Sequence, residues 1–156
     1  MDASQFLSWI AAGEKNFPGI CLHGVNLSGV DLSQLNLTRA DLSCADLSGA
    51  NLSGTDLSQA NLTDADLNQA DLRSTNLSQV NLIGASLIDA NMGRANLTRG
   101  DLRSANLTNA DLVGAILTDV ELSGTDLTGA NINEAELNQA MCCVGVSHNW
   151  VSWSGE

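Results

Sequence analysis

A five-residue rhythm runs from Ile20 to Gln139 and places Leu at the same point of nearly every repeat. The run Ala50-Asn51-Leu52-Ser53-Gly54 is followed by Ala60-Asn61-Leu62-Thr63-Asp64 and Ala65-Asp66-Leu67-Asn68-Gln69. The central position recurs from 22 to 137, so there are (137 − 22)/5 + 1 = 24 repeats, with Met92 and Ile132 standing in for Leu. Two residues before it the chain is small or apolar, and one residue before it is usually Asp or Asn. Such a period suits neither regular element. A helix turns about 100° per residue, so Leu at every fifth place would wander around its surface. On a flat strand an odd period sends successive Leu side chains to opposite faces. All of them can point inward only if the chain turns a corner once per repeat, which predicts short extended sides stacked coil on coil.

The A(D/N)LxX pattern over residues 20–139 resembles the pentapeptide-repeat family. That resemblance implies an all-β fold, a right-handed quadrilateral β-helix with four repeats per coil. It gives about six coils: 20–39, 40–59, 60–79, 80–99, 100–119 and 120–139. At about 4.8 Å per coil the rod is on the order of 29 Å tall. Residues 20 apart then stack. One outer column reads Asp31, Asn51, Asp71, Asn91, Asp111, Asn131, an alternation that separates like charges. In another column Asp46 sits directly above Asp66.

The ends are expected to be caps, because an open solenoid edge invites further pairing. Residues 1–19 form the N-terminal cap, with a helix over about 2–12. Asp2 is its N-cap, Gln5 completes a capping box, Phe6, Leu7 and Ile10 form its apolar side, and Gly13 ends it. The stretch Ala11–Phe17 is similar to the N-terminal cap of cyanobacterial members of that family. Residues 140–156 form a C-terminal cap or tail, in which Trp150 and Trp153 read either as cap or as a dimer contact. Gyrase-protecting members of the family dimerise through this end.

The chain has only two Phe, three Trp and no Tyr, so its core is a ladder of Leu. Asp2, with no basic residue before the first short apolar stretch, argues against a signal peptide. Cys21 and Cys44 fall on different columns of neighbouring coils, and Cys142 and Cys143 are adjacent, so the thiols read as free and the location as cytoplasmic. The resemblance points to a bacterium, a cyanobacterium in particular.

Catalysis requires convergent groups in a concave site. Fifteen of the 18 acidic residues lie in the repeats, mostly at fixed spacing on the outside of a convex rod, and His23 and His148 lie at opposite ends. No phosphate-binding glycine loop is present, and Cys142, Cys143 and His148 lack a fourth zinc ligand. The reading is a protein without enzymatic activity, cofactor or metal.

A net charge of −12 argues against binding nucleic acid, and no segment suggests a membrane. It permits mimicry of DNA toward DNA gyrase or another topoisomerase, as some family members do. The repeats carry a net charge of about −10 over roughly 29 Å, where duplex DNA would carry about 17. Mimicry is therefore the alternative. The first reading is a protein-interaction or scaffold module, monomeric or a C-terminal homodimer. A third is a regulator of a single bacterial signalling or developmental protein.

Exceptions to the repeat mark the candidate contact residues. Ile83, Ile88 and Val113 replace the Ser or Thr after Leu, and Ile116 replaces the Asp or Asn before it. Arg94, Arg99 and Arg103 lie in the same belt, with Arg73 one coil above. They read as an exposed apolar and basic contact belt. Drift on a tolerant surface accounts for them equally simply.

Overall fold

The computed structural model describes residues 1–144 together with Ser152 and Trp153. Each Asp, Asn or equivalent residue before the central position forms a parallel bridge to the residue 20 positions on, from Asn16↔Asn36 to Asp111↔Asn131. Twenty residues per coil and five per side give four sides, a right-handed quadrilateral β-helix. The central Leu side chains of residues 22–127 are buried, with Ala, Val or Thr beside them.

Nearly every corner closes by a hydrogen bond from the next repeat's first residue back to the central carbonyl, as from Ala40 to Leu37 at 3.0 Å. The residue two after the centre sits in the left-handed region at every corner from Gly19 to Gly129. Fourteen of these residues are not glycine and hold φ between 55° and 60°, a conformation that costs a side-chain-bearing residue about 1–2 kcal/mol. Gln, Arg, Asp and Ser at corners are thus held there by stacking rather than by local preference.

The Asp or Asn before Leu has a structural task. Its Oδ1 accepts the N–H two residues later, as Asp41 does from Ser43 at 3.1 Å and Asn96 does from Thr98 at 3.0 Å. Between coils, Asn51 Nδ2 donates to Asp31 at 3.2 Å and Asn131 Nδ2 to Asp111 at 3.3 Å. Two pairs of the alternating column are thus hydrogen-bonded as well as spaced in charge.

Both ends differ from the sequence division. The ladder starts one repeat early: Asn16 bridges to Asn36, and Phe17 fills the place of Leu. It stops at Asn131, one repeat early as well, so six coils remain but their frame is shifted. Leu137 keeps the rhythm yet lies in a helix.

The N-terminal helix α1 spans Ala3–Ala11, with Asp2 as N-cap. Gly13 and Glu14 close its C-terminus by donating to Ile10 and Trp9. The capping box expected there does not form. Asp2 accepts the Ser4 N–H at 3.2 Å and hydroxyl at 2.6 Å, while Gln5 reaches forward to Ser8. Phe6 is fully buried on the first coil, edge-on to Phe17 with ring centroids 4.9 Å apart.

At the other end, β1 (Asp126–Leu127) leads into the last corner and α2 spans Glu134–Val144. The expected boundary at 139/140 falls inside α2. Strand β2 (Ser152–Trp153) then returns to pair in parallel with β1. The backbone of Trp153 is thus paired with Leu127, and Trp150 lies outside the described residues.

Candidate functional site

The fold distributes the expected belt around all four sides. Ile83 and Arg103 share one side, Ile88 lies on the next, Arg94 and Val113 on the third, and Arg99 and Ile116 on the fourth. Ile83 and Ile88 are half-buried within their columns rather than exposed. Ile88 also has a structural explanation. Ser86 replaces the usual Asp or Asn, and Asn68 of the coil before supplies the missing acceptor, taking the Ile88 N–H at 2.9 Å and the Ser86 hydroxyl at 2.6 Å.

Val113 and Ile116 behave differently. They are 52% and 45% exposed and are the only large apolar side chains of the described repeats that are exposed. They flank the corner at Gly114. Ile116 cannot accept the N–H of Thr118, and no other described group does so. Sequence drift compensated at Ser86 is uncompensated here.

Beside Val113 the convex surface is interrupted by a groove of about 550 Å³, lined by Gln34, Gly54, Arg73, Gly93, Arg94 and Val113 among others. Gly54 lets the Gln34 side chain lie across its corner, where an added Cβ would come 1.9 Å from Gln34 Nε2. Arg73 is held on one wall by a two-pronged pairing with Asp71, at 2.9 Å from Nε and 2.6 Å from the terminal nitrogen. Arg94 is exposed and makes no ion pair among the described residues. The structure therefore brings Arg73, Arg94 and Val113 to one groove, places Ile116 just past the Gly114 corner, and leaves Ile83, Ile88 and Arg103 on other sides. The groove was not expected from sequence, although Gly54 and Gly93, in adjacent columns of one side, line it. Arg99 lies over Asp119 at 3.8 Å, both exposed.

Ion pairs and turn hydrogen bonds lower the pKa of some of the outer aspartates. At Asp71 the Arg73 hydrogen bonds lower the pKa, and at Asp41 the Ser43 hydroxyl and N–H do the same. At Asp101 burial works to raise it, and the Arg103 bonds outweigh burial so that the net shift is downward. A carboxyl with a depressed folded pKa contributes stability above its unfolded value and loses it as pH falls through the folded one. The thermal midpoint should therefore hold near neutral pH and fall as pH drops below the ordinary Asp value of 3.8. A thermal melt series from pH 7 to 2 checks this; a midpoint flat down to pH 2 would contradict it.

One trio resembles catalytic chemistry and is wired for something else. His23 Nδ1 lies 2.8 Å from Ser43 Oγ, and Ser43 Oγ donates to Asp41 Oδ1 at 2.6 Å. With its proton committed to Asp41, Ser43 accepts from His23, the reverse of an activated nucleophile. The Ser–Asp part repeats at Ser48 and Asp46 and is the ordinary corner bond. Cys21 and Cys44 are exposed free thiols. Among the described residues no group of three or more His, Cys, Asp or Glu converges to hold a metal, and no helix is long and apolar enough to cross a membrane.

The chain matches the family model described as pentapeptide repeats, in eight copies over residues 20–59, 60–99 and 105–140. Three solved structures are similar at 30% identity. A pentapeptide repeat protein from Nostoc PCC 7120 covers 98% of this chain and 96% of its own, with a TM-score of 0.49. Rfr23 from the cyanobacterium Cyanothece 51142 covers 97% and 99%, with a TM-score of 0.41. HetL from Nostoc sp. strain PCC 7120, involved in heterocyst differentiation regulation, covers 83% and 79%, with a TM-score of 0.44. No curated protein matches the chain.

Proposed function

The chain belongs to the pentapeptide repeat family, and from that premise we propose that it is a non-enzymatic interaction module whose docking surface is formed by Arg73, Arg94, Val113 and Ile116. The observation that carries this is Ile116, which stands where the fold needs an acceptor, leaves the Thr118 N–H without one and exposes its own apolar side chain. A stability-neutral surface would regain the acceptor by a single change to Asp or Asn. Beside it, Val113 offers a second apolar contact and Arg94 a free guanidinium. Apolar groups ringed by Arg are typical of protein contacts.

Ile116→Asp separates contact from architecture. It restores the repeat pattern, so the thermal midpoint should stay within a few degrees or rise. Capture of a partner from a lysate of the source organism should fall by roughly tenfold or more, as for loss of an interface anchor. Equal capture by the variant and the parent would sink the proposal.

A further inference from the structure

The N-terminal end of the rod carries a cavity of about 500 Å³, apart from the Arg94–Val113 groove and lined by Trp9, Ala12, Gly13, Glu14, Asn16 and Phe17. Trp9 lies nearly parallel to Phe17, at 18° with ring centroids 6.2 Å apart, and remains 38% exposed. Phe17 thus sets the plane of an indole that solvent still reaches.

The backbone donors around this cavity are spent. The N–H groups of Ala12, Gly13, Glu14 and Phe17 donate to the carbonyls of Ser8, Ile10, Trp9 and Asn36, and that of Asn16 donates to Glu14 Oε1 at 3.0 Å. Its acceptors are not spent. The carbonyls of Ala12 and Gly13, just past the end of α1, receive no hydrogen bond from the described residues, and neither does Glu14 Oε2. Asn16 is a special case. Elsewhere the Asp or Asn before the centre accepts the N–H two residues on, as Asn36 does from Thr38 at 3.1 Å. Two residues after Asn16 stands Pro18, which has no N–H to give, so Asn16 Oδ1 is left over. These residues are exposed, so water serves the acceptors until a ligand displaces it.

Three features favour a positive charge in this place. An indole face attracts a cation, a helix C-terminus carries partial negative charge, and Glu14 adds a full one. Lys15, next in sequence, does not fill the place. It is not among the lining residues and makes no ion pair among the described residues. Its charge acts instead on Asp31, whose pKa is lowered chiefly by the Ser33 hydroxyl and N–H. The group that matches is a flat cation with several donors and no acceptor. A guanidinium is planar, with five N–H donors, whereas an ammonium has no plane to stack. A second copy would approach with a net charge of −12 against −12, so the arginine is one that a different protein presents. We infer that this cavity binds an arginine side chain of another protein, its guanidinium stacked on Trp9 and donating to Glu14 Oε2 and Asn16 Oδ1. This contact is separate from the docking surface above and does not depend on it.

The full chain, with its backbone amides and indole N–H groups assigned, is titrated at fixed ionic strength with acetyl-Ala-Arg-Ala-amide. The lysine peptide and the uncharged citrulline peptide are titrated in parallel. The arginine peptide should shift the Trp9 indole and the Gly13 and Asn16 amides saturably, with an affinity on the order of 10 mM for a single side chain. Lysine should bind about threefold or more weakly and citrulline at least about tenfold more weakly, since one loses the stack and the other the charge. Glu14→Gln keeps an acceptor for the Lys15 and Asn16 N–H groups and should weaken the arginine peptide about fivefold. Trp9→Leu keeps an apolar cover on Phe17 and should remove the saturable response. No saturable response to the arginine peptide overturns the inference, as does binding of citrulline or lysine as tight as that of arginine. Parent-like affinity in both variants overturns it as well. A Trp9 shift that grows with the concentration of the chain alone would assign the cavity to a second copy and overturn the different partner.

Discussion

Leu67→Asp is expected to leave the chain without a cooperative unfolding transition at 25 °C, and Leu67→Ala to lower its stability by about 3 kcal/mol. Leu67 is fully buried, stacked between Leu47 and Leu87, which are equally buried. Its N–H donates to Ser86 in the next coil at 2.7 Å. An ionised carboxylate there would face only Leu and Ala, and its burial would cost several kcal/mol beyond the lost apolar contact. Against a total domain stability of roughly 5–15 kcal/mol, that loss is decisive in a rod whose coils depend on their neighbours. The check is urea denaturation followed by circular dichroism. A Leu67→Asp variant with the parent's midpoint would show that the Leu column does not carry the fold.

The interior of this rod was readable because a period of five leaves the Leu positions a single inward solution. Four sides per coil came only from family resemblance, and the bridges between residues 20 apart give them independently. At both ends the bridge ladder is offset by one repeat from the Leu rhythm, for related reasons. Asn16-Phe17 lacks both Leu and the small residue before it, and a bulky aromatic fills the same place because α1 supplies Phe6 as its packing partner. At the far end, Leu137 kept the rhythm while Asn133 and Glu136 carried a helix-starting pattern, and five residues are too few for periodicity to tell these apart. The belt was legible as a set of exceptions but not as a surface, since sequence distance says nothing of which side of the rod a residue faces until the coil length is known. Ile88 shows the limit. Its irregularity is resolved by Asn68, twenty residues away.

Glu136→Ala should release α2 from the end of the rod, with a loss of about 2–4 kcal/mol in the stability of the last coil. The carboxylate is largely buried and serves two donors at once. Oε1 accepts the Gly114 N–H at 2.7 Å, taking the role that a carbonyl of a further coil would have played. Oε2 accepts the Asn133 N–H at 3.2 Å, while Asn133 Oδ1 accepts the Glu136 N–H at 2.7 Å. This is the reciprocal capping box that the sequence suggested for α1, built at α2 instead. Glutamine is expected to rescue only in part, because its amide offers one acceptor where two are needed and turns a donor toward the other N–H. Alanine should therefore be the weaker variant and glutamine intermediate. Both should show faster hydrogen exchange at Gly114 and reduced helical circular dichroism, with the Leu67 amide left protected. Unchanged exchange at Gly114 in Glu136→Ala would mean that Leu137 and Ala140, packed on the core, hold the cap without the carboxylate.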